Sequence, residues 1–255
     1  MSLDIGPIVE GWPYEPGKLS VRRVLGEDGR EKIQLRLDLG ILQMETTGRP
    51  DGRRPHGYES YLAYYKARLV RYCREHGSDE GFRLSGRDCE LLRNEMLMYY
   101  HRYLSEFALD EYDAVIRDTT RNIESLDLCG HYAVGETDQV AQERFRPYII
   151  MMRARARALD ALSDDDFTGA RVAVQDGLEE IRENTLWTAE TGEAAEDSVE
   201  VQILETLLEE ITEREPVDPV RAVEMALDRA IAEERYEDAA RYRDQLRIWK
   251  AHPPR

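Results

Sequence analysis

No stretch of the 255 residues is apolar over the roughly 18 positions that a membrane-crossing helix needs. Residues 1–18 have neither a basic start nor an apolar block, so a secretory leader is not expected. Cysteine is scarce. Cys73, Cys89 and Cys129 stand far apart, without CxxC spacing, which excludes a disulfide framework and a paired-cysteine zinc site. Free thiols of this kind suit a reducing cytoplasm, where they pack as small buried residues. Positive charge is in deficit, with 35 Lys and Arg against 52 Asp and Glu and a net charge of −17. Nucleic acids and anionic membranes are repelled by such an average field, so neither is expected as a direct partner. No GxxxxGK[ST] phosphate loop occurs, and the five histidines have no Cys or Ser partner identifiable in sequence. No catalytic residues, metal or cofactor are expected. What is present, 42% hydrophobic and 34% charged residues, is a globular composition with material for one large domain or two smaller ones.

The chain opens with a β pattern. Ile33, Leu35, Leu37, Leu39 and Ile41 alternate strictly with Gln34, Arg36, Asp38 and Gly40, the period of a half-buried strand. Leu19, Val21 and Leu25 precede it, and Gly26-Glu27-Asp28-Gly29 supplies turn residues between the two runs. The pattern predicts a β-hairpin over 18–44, whose apolar face must lie on helices because a lone hairpin is marginal in water. A Gly-, Pro- and Arg-rich loop follows at 46–57.

From Tyr58 the period becomes helical, with Tyr61, Leu62, Tyr65, Leu69 and Tyr72 on one stripe. Residues 77–86 read as a polar break. Two helical hairpins are then expected, pairing 87–107 with 110–127 and 138–162 with 165–183. Each corner has acidic residues, then an aromatic (Tyr112, Phe167), then a small residue (Ala114; Gly169 and Ala170). The acidic residues suit the positive end of the second helix. Ala158, Phe167 and Ala170 resemble the small–aromatic–small spacing of tetratricopeptide repeats, whereas Arg102 and Asp118 stand in the first hairpin where that family has small or apolar residues. Ordinary antiparallel helix packing is the other reading of this segment. Met151-Met152-Arg153-Ala154-Arg155-Ala156-Arg157 looks basic, yet alternate positions lie about 200° apart on a helix, so its arginines splay around the cylinder.

A small, acidic linker is expected at 186–197, after a body formed by 1–185, and a third segment at 198–250. Within it Val199, Ile203, Leu204, Leu207, Leu208 and Ile211 give residues 198–213 one apolar face. Asp218-Pro219 is a helix start, with a capping carboxylate and proline at the first position. Val223, Ala226, Leu227, Ala230 and Ile231 follow at helical spacing. Glu233-Glu234-Arg235 turn the chain, and Tyr236, Ala239, Ala240, Arg243 and Leu246 line a return helix that ends near Trp249.

Ala230-Ile231, then Tyr236-Glu237-Asp238-Ala239-Ala240, Arg243-Asp244 and Leu246 resemble the UVR domain of the UvrB helicase, the UvrC nuclease, Clp ATPases and Clp-associated adaptors. The resemblance covers about 218–250 and implies docking of this hairpin against another UVR hairpin, in a second copy or in a different protein. It implies a contact surface of Val223, Leu227, Ala230, Ile231, Tyr236, Ala239, Ala240, Arg243, Asp244, Leu246 and Trp249. Packing of the hairpin on its own chain, for example on 198–213, is the alternative. The zinc modules of some UVR adaptors have no counterpart here.

A second place to look is the loop region 38–56. Asp38, Glu45, Asp51 and His56 form a carboxylate–histidine set there, and Arg49, Arg53 and Arg54 could receive an anion. Internal bracing is the plainer role for such a loop. The sequence thus predicts an α-rich α+β protein: a hairpin on a helical body, then a C-terminal UVR hairpin. The expected function is a non-catalytic adaptor. An enzyme or small-ligand protein with its site near 38–56, using the hairpin for recruitment or dimerisation, is the alternative.

Overall fold

Strands β1 (Val21–Leu25), β2 (Glu31–Leu37) and β3 (Gly40–Glu45) form an antiparallel sheet in the order β1-β2-β3. They belong to a computed structural model that describes residues 4–183, 198–216 and 219–251. The expected hairpin is therefore a three-stranded meander. The alternating run from Ile33 to Ile41 is two strands folded back at Asp38-Leu39, with Leu37 opposite Gly40. The fold-back inverts the register, so Leu42 and Met44, not Ile41, share the face of Leu35 and Ile33, while Ile41 lies opposite Arg36; the apolar run of the sequence happens to continue through the turn and so hides it. Leu39, at its tip, is 90% exposed.

Ile33, Leu35 and Met44 form the sheet's buried cluster, against which Val21, Leu42 and Leu109 pack. The opposite face is polar yet covered. Arg22 donates to Gln34, which donates to Gln43, while Lys32 pairs with Asp28 and Glu45. Helix α1 (Gly6–Val9) and Trp12 lean on this face: Arg22 lies 4.0 Å from the Trp12 ring centre and donates to the Ile8 carbonyl.

The body is helical. Helix α2 (Tyr61–His76) is capped by Ser60, whose hydroxyl accepts from the Ala63 amide, and ends at Gly77 with φ 84°. Helix α3 (Gly86–Phe107) starts with a reciprocal Ser85–Asp88 capping box. It pairs with α4 (Tyr112–Tyr132). The segment 77–86, read as a polar break, is anchored: Phe82 and Leu84 are buried, and Leu84 exchanges backbone hydrogen bonds with Tyr132 and Val134.

Helix α5 (Glu136–Val140) and a 3-10 turn (Glu143–Phe145) occupy the region expected to begin the next long helix. That helix, α6, runs Arg146–Ser163, with Pro147 in its first turn, where a missing N–H costs nothing. Its arginines splay as the spacing requires: Arg153 is buried beside Glu180, Arg155 lies over Phe107 and Arg157 is exposed. Helix α7 (Phe167–Glu183) returns against α6. Gly177 permits the approach, since a β-carbon there would lie 2.5 Å from that of Ala154. Gly177→Ala should lower stability by about 1 kcal/mol, because the overlap outweighs the gain in helix propensity. Urea unfolding would measure it.

Three further helices are α8 (Val199–Arg214), α9 (Pro219–Ala232) and α10 (Tyr236–Ala251). The chain divides into two compact units, Met1–Glu210 and Ile211–Arg255. The first takes in the start of α8, where Glu205 pairs with Arg182 at 3.0 Å; the sequence reading ended the body at 185. The expected linker 186–197 and the cap Asp218 lie outside the described residues. Among the described residues no helix is long and apolar enough to cross a membrane.

Candidate functional site

The C-terminal hairpin is built on the same corner as the two hairpins of the body. Asp110, Asp165 and Glu234 all take the left-handed conformation, with φ 58°, 58° and 56°. The next amide donates back five residues in each case, Glu111 to Glu106, Asp166 to Ala161 and Arg235 to Ala230, at 2.8–2.9 Å. This closes a helix end by satisfying one of its orphan carbonyls. Two positions after the left-handed residue comes an aromatic, Tyr112, Phe167 or Tyr236, and five after it a buried Val115, Ala170 or Ala239. None of the three corners uses glycine. Aspartate tolerates the left-handed region; the glutamate of the third corner has no such preference.

Ion pairs brace the third corner. Arg235 reaches Glu233 and Asp238 at 2.8 Å, and Arg229 reaches Glu233 at 3.1 Å. Hydrogen bonds from Arg229 and Arg235 hold the Glu233 carboxyl below its ordinary range.

The eleven residues expected at the contact surface divide into groups. Val223, Ala230, Ala239 and Leu246 are buried, while Leu227, Ala240 and Trp249 are half-buried. Ile231 is 51% and Tyr236 69% exposed, and Arg243 and Asp244 are exposed with 3.6 Å between them. Met225 and Ile248 are also exposed apolar side chains; neither was among the residues expected at the contact surface, although Ile248 was placed near the end of the return helix. Both stand outside the residues that carry the motif resemblance.

The 38–56 region is braced from within and from below. Arg49 is nearly buried, with Asp51 at 3.1 Å, Glu95 at 3.5 Å and the Tyr61 ring at 5.0 Å. Asp51 also accepts from the Arg53 amide, and Glu45 pairs with Lys32. Arg54 donates to the Gly57 carbonyl, and His56, at φ 51°, stacks on Tyr64 with 4.2 Å between ring centres. Arg53 is 83% exposed. Asp38 sits apart, in the β2–β3 turn.

Beneath the loop lies a charged layer between α3 and α4. Arg102, 1% exposed, forms a bidentate pair with Asp118 at 2.6 and 2.9 Å and donates to the carbonyls of Glu45 and Gly48. Glu106, also 1% exposed, lies 3.6 Å from Arg102 and 3.0 Å from Arg117, and its Oε2 has no hydrogen-bond partner among the described residues. About two turns nearer the start of α3, Glu95 pairs with Arg121 and accepts the Tyr61 and Leu62 amides at the start of α2. These groups fasten the sheet, the loop and α2 to one hairpin.

Cys89 and Cys129 are buried, one on each of the same two helices; Cys73 is half-buried. Among the described residues no three His, Cys, Asp or Glu side chains converge as a metal site would need.

The family model for the UvrB/uvrC motif, UVR, matches residues 220–247, which are α9, the corner and most of α10. No curated protein and no solved structure matches the chain.

Proposed function

We propose that the protein is a non-catalytic adaptor of the cytoplasm, which docks another UVR-bearing protein, or a second copy of itself, through the hairpin of α9 and α10. One observation carries this reading. In the body's two corners the aromatics Tyr112 and Phe167 are half-buried, whereas Tyr236, at the equivalent place in the matched hairpin, is 69% exposed. Ile231, on the preceding turn, is exposed as well. Burying such side chains contributes about 1.5–3 kcal/mol each, enough to drive association when several are covered together. Arg243 and Asp244 add charge that can set register at small net energy. The net charge of −17 favours a protein partner over nucleic acid.

Two substitutions test the docking surface. Tyr236→Ala removes the exposed aromatic, and Ala240→Arg places a long charged side chain at a half-buried alanine of the return helix. Both should weaken self-association or capture of a UVR-bearing partner at least tenfold in sedimentation and pull-down, a loss of about 1.4 kcal/mol or more. The melting transition of the body should be unchanged. Full association by both variants would rule the hairpin out as the docking surface.

A further inference from the structure

The helical body contains a cavity of about 450 Å³, bordered by α3, α4, α6, the 3-10 turn and the first turn of α8. This volume is in the range of small-molecule sites, which are largely apolar with a few placed polar groups. None of its residues belongs to the loop 38–56 or to the C-terminal hairpin.

Four of the twelve lining residues are aromatic, Tyr100, Tyr103, Phe145 and Tyr148. Tyr100 meets Tyr103 edge-on, at 5.5 Å and 88°, and Tyr148 at a tilt, 6.2 Å and 53°. Neither arrangement stacks two of these rings face to face. Phe145 borders the same space and is 43% exposed.

Tyr103 adds a polar group to the wall. It lines the cavity and is itself only 1% exposed. A phenol in a cavity wall can donate to a molecule bound there. Burial pushes its ionisation up, so the group stays a donor at neutral pH. A group that suits this donor is an acceptor on the ligand.

At the mouth, charge is placed unevenly. Arg93 is already paired with Asp138 at 2.7 Å. Arg144 is exposed, lies 4.7 Å from the centre of the Phe145 ring, and forms no ion pair among the described residues. Glu200 borders the cavity and acts on Tyr148, whose phenol is pushed up to about 12, mainly by burial. An anionic group on a ligand would thus sit at Arg144 and away from Glu200.

We propose that this cavity binds a flat aromatic small molecule with an anionic substituent. The ring system lies among Tyr100, Phe145 and Tyr148, an acceptor on it takes the Tyr103 hydroxyl, and the anion rests on Arg144. This site is independent of the docking hairpin, so either can fail without the other.

The probe is 8-anilinonaphthalene-1-sulfonate, which has the fused rings and the anion, titrated by fluorescence into the full chain. One saturable site per chain is expected. Arg144→Glu should weaken it roughly tenfold or more, and Tyr103→Phe about three- to tenfold, as the loss of a charged and a neutral hydrogen bond implies. Leu97 borders the cavity and is 55% exposed, so Leu97→Trp can obstruct the mouth without disturbing the fold and should abolish binding. Tyr236→Ala should leave the titration unchanged. Absence of saturable binding would overturn the proposal. So would equal binding by the Arg144 and Leu97 variants, or a site lost in Tyr236→Ala and retained in the other two.

Discussion

Arg102→Met should destabilise the body by about 3–5 kcal/mol, the cost of removing one partner from a buried ion pair. Asp118 would remain 1% exposed without its bidentate donor, and the carbonyls of Glu45 and Gly48 would lose theirs. The double variant Arg102→Met/Asp118→Leu should recover much of this loss, because it leaves no isolated charge and fills similar volume. Its remaining deficit would reflect the two carbonyls. Urea denaturation of the two single variants and the double variant gives the coupling directly. Additive losses would mean that the two side chains do not act as a pair.

Glu106 has the opposite character, since its charge is a burden. Burial, and next the nearby charge of Asp118, raise its carboxyl to about 7 against the pull of Arg102 and Arg117. Between about pH 4.5 and 7 the native state holds a proton that the unfolded chain has released, so this group makes stability fall as pH rises. Above 7 the carboxyl is ionised in both states and the whole penalty is present. Glu106→Gln should therefore stabilise the protein by on the order of 1–3 kcal/mol at pH 8 and change little at pH 4.5. Thermal melts of both proteins across pH 4.5–8 measure the difference. A gap that is constant with pH would assign the effect to packing.

Much of the helical architecture was legible because amphipathic spacing and capping chemistry act locally. The corner at Glu233-Glu234-Arg235 was readable from its small and aromatic neighbours, and so was the splay of Arg153, Arg155 and Arg157. The turn at Asp38-Leu39 was hidden by an alternation that continues through it. Arg102 and Asp118 were visible as polar residues at positions suited to small ones. That mismatch was the trace of their pairing, but only the register of α3 against α4 shows that they meet. Phe82 and Leu84 were masked by the polar residues around them. The cavity had no sequence signature, because its aromatic walls come from two helices and a turn whose packing no local pattern specifies. Tyr236 was recognisable as part of a motif, whereas its exposure depends on what lies around it in space.

The three corners also have a consequence in time. Each is closed by a bond between residues five apart, so its two helices can meet without closing a long loop. The sheet is fastened differently, by Arg102 reaching carbonyls 57 and 54 positions earlier in the chain. Contacts of such separation give little return until much chain entropy has been lost. Docking of the sheet should accordingly come late on the folding route. Met44→Ala would then mainly speed unfolding, whereas Ala170→Gly, in a corner of the body, would mainly slow folding; the reverse partition of rates would place the sheet in the nucleus.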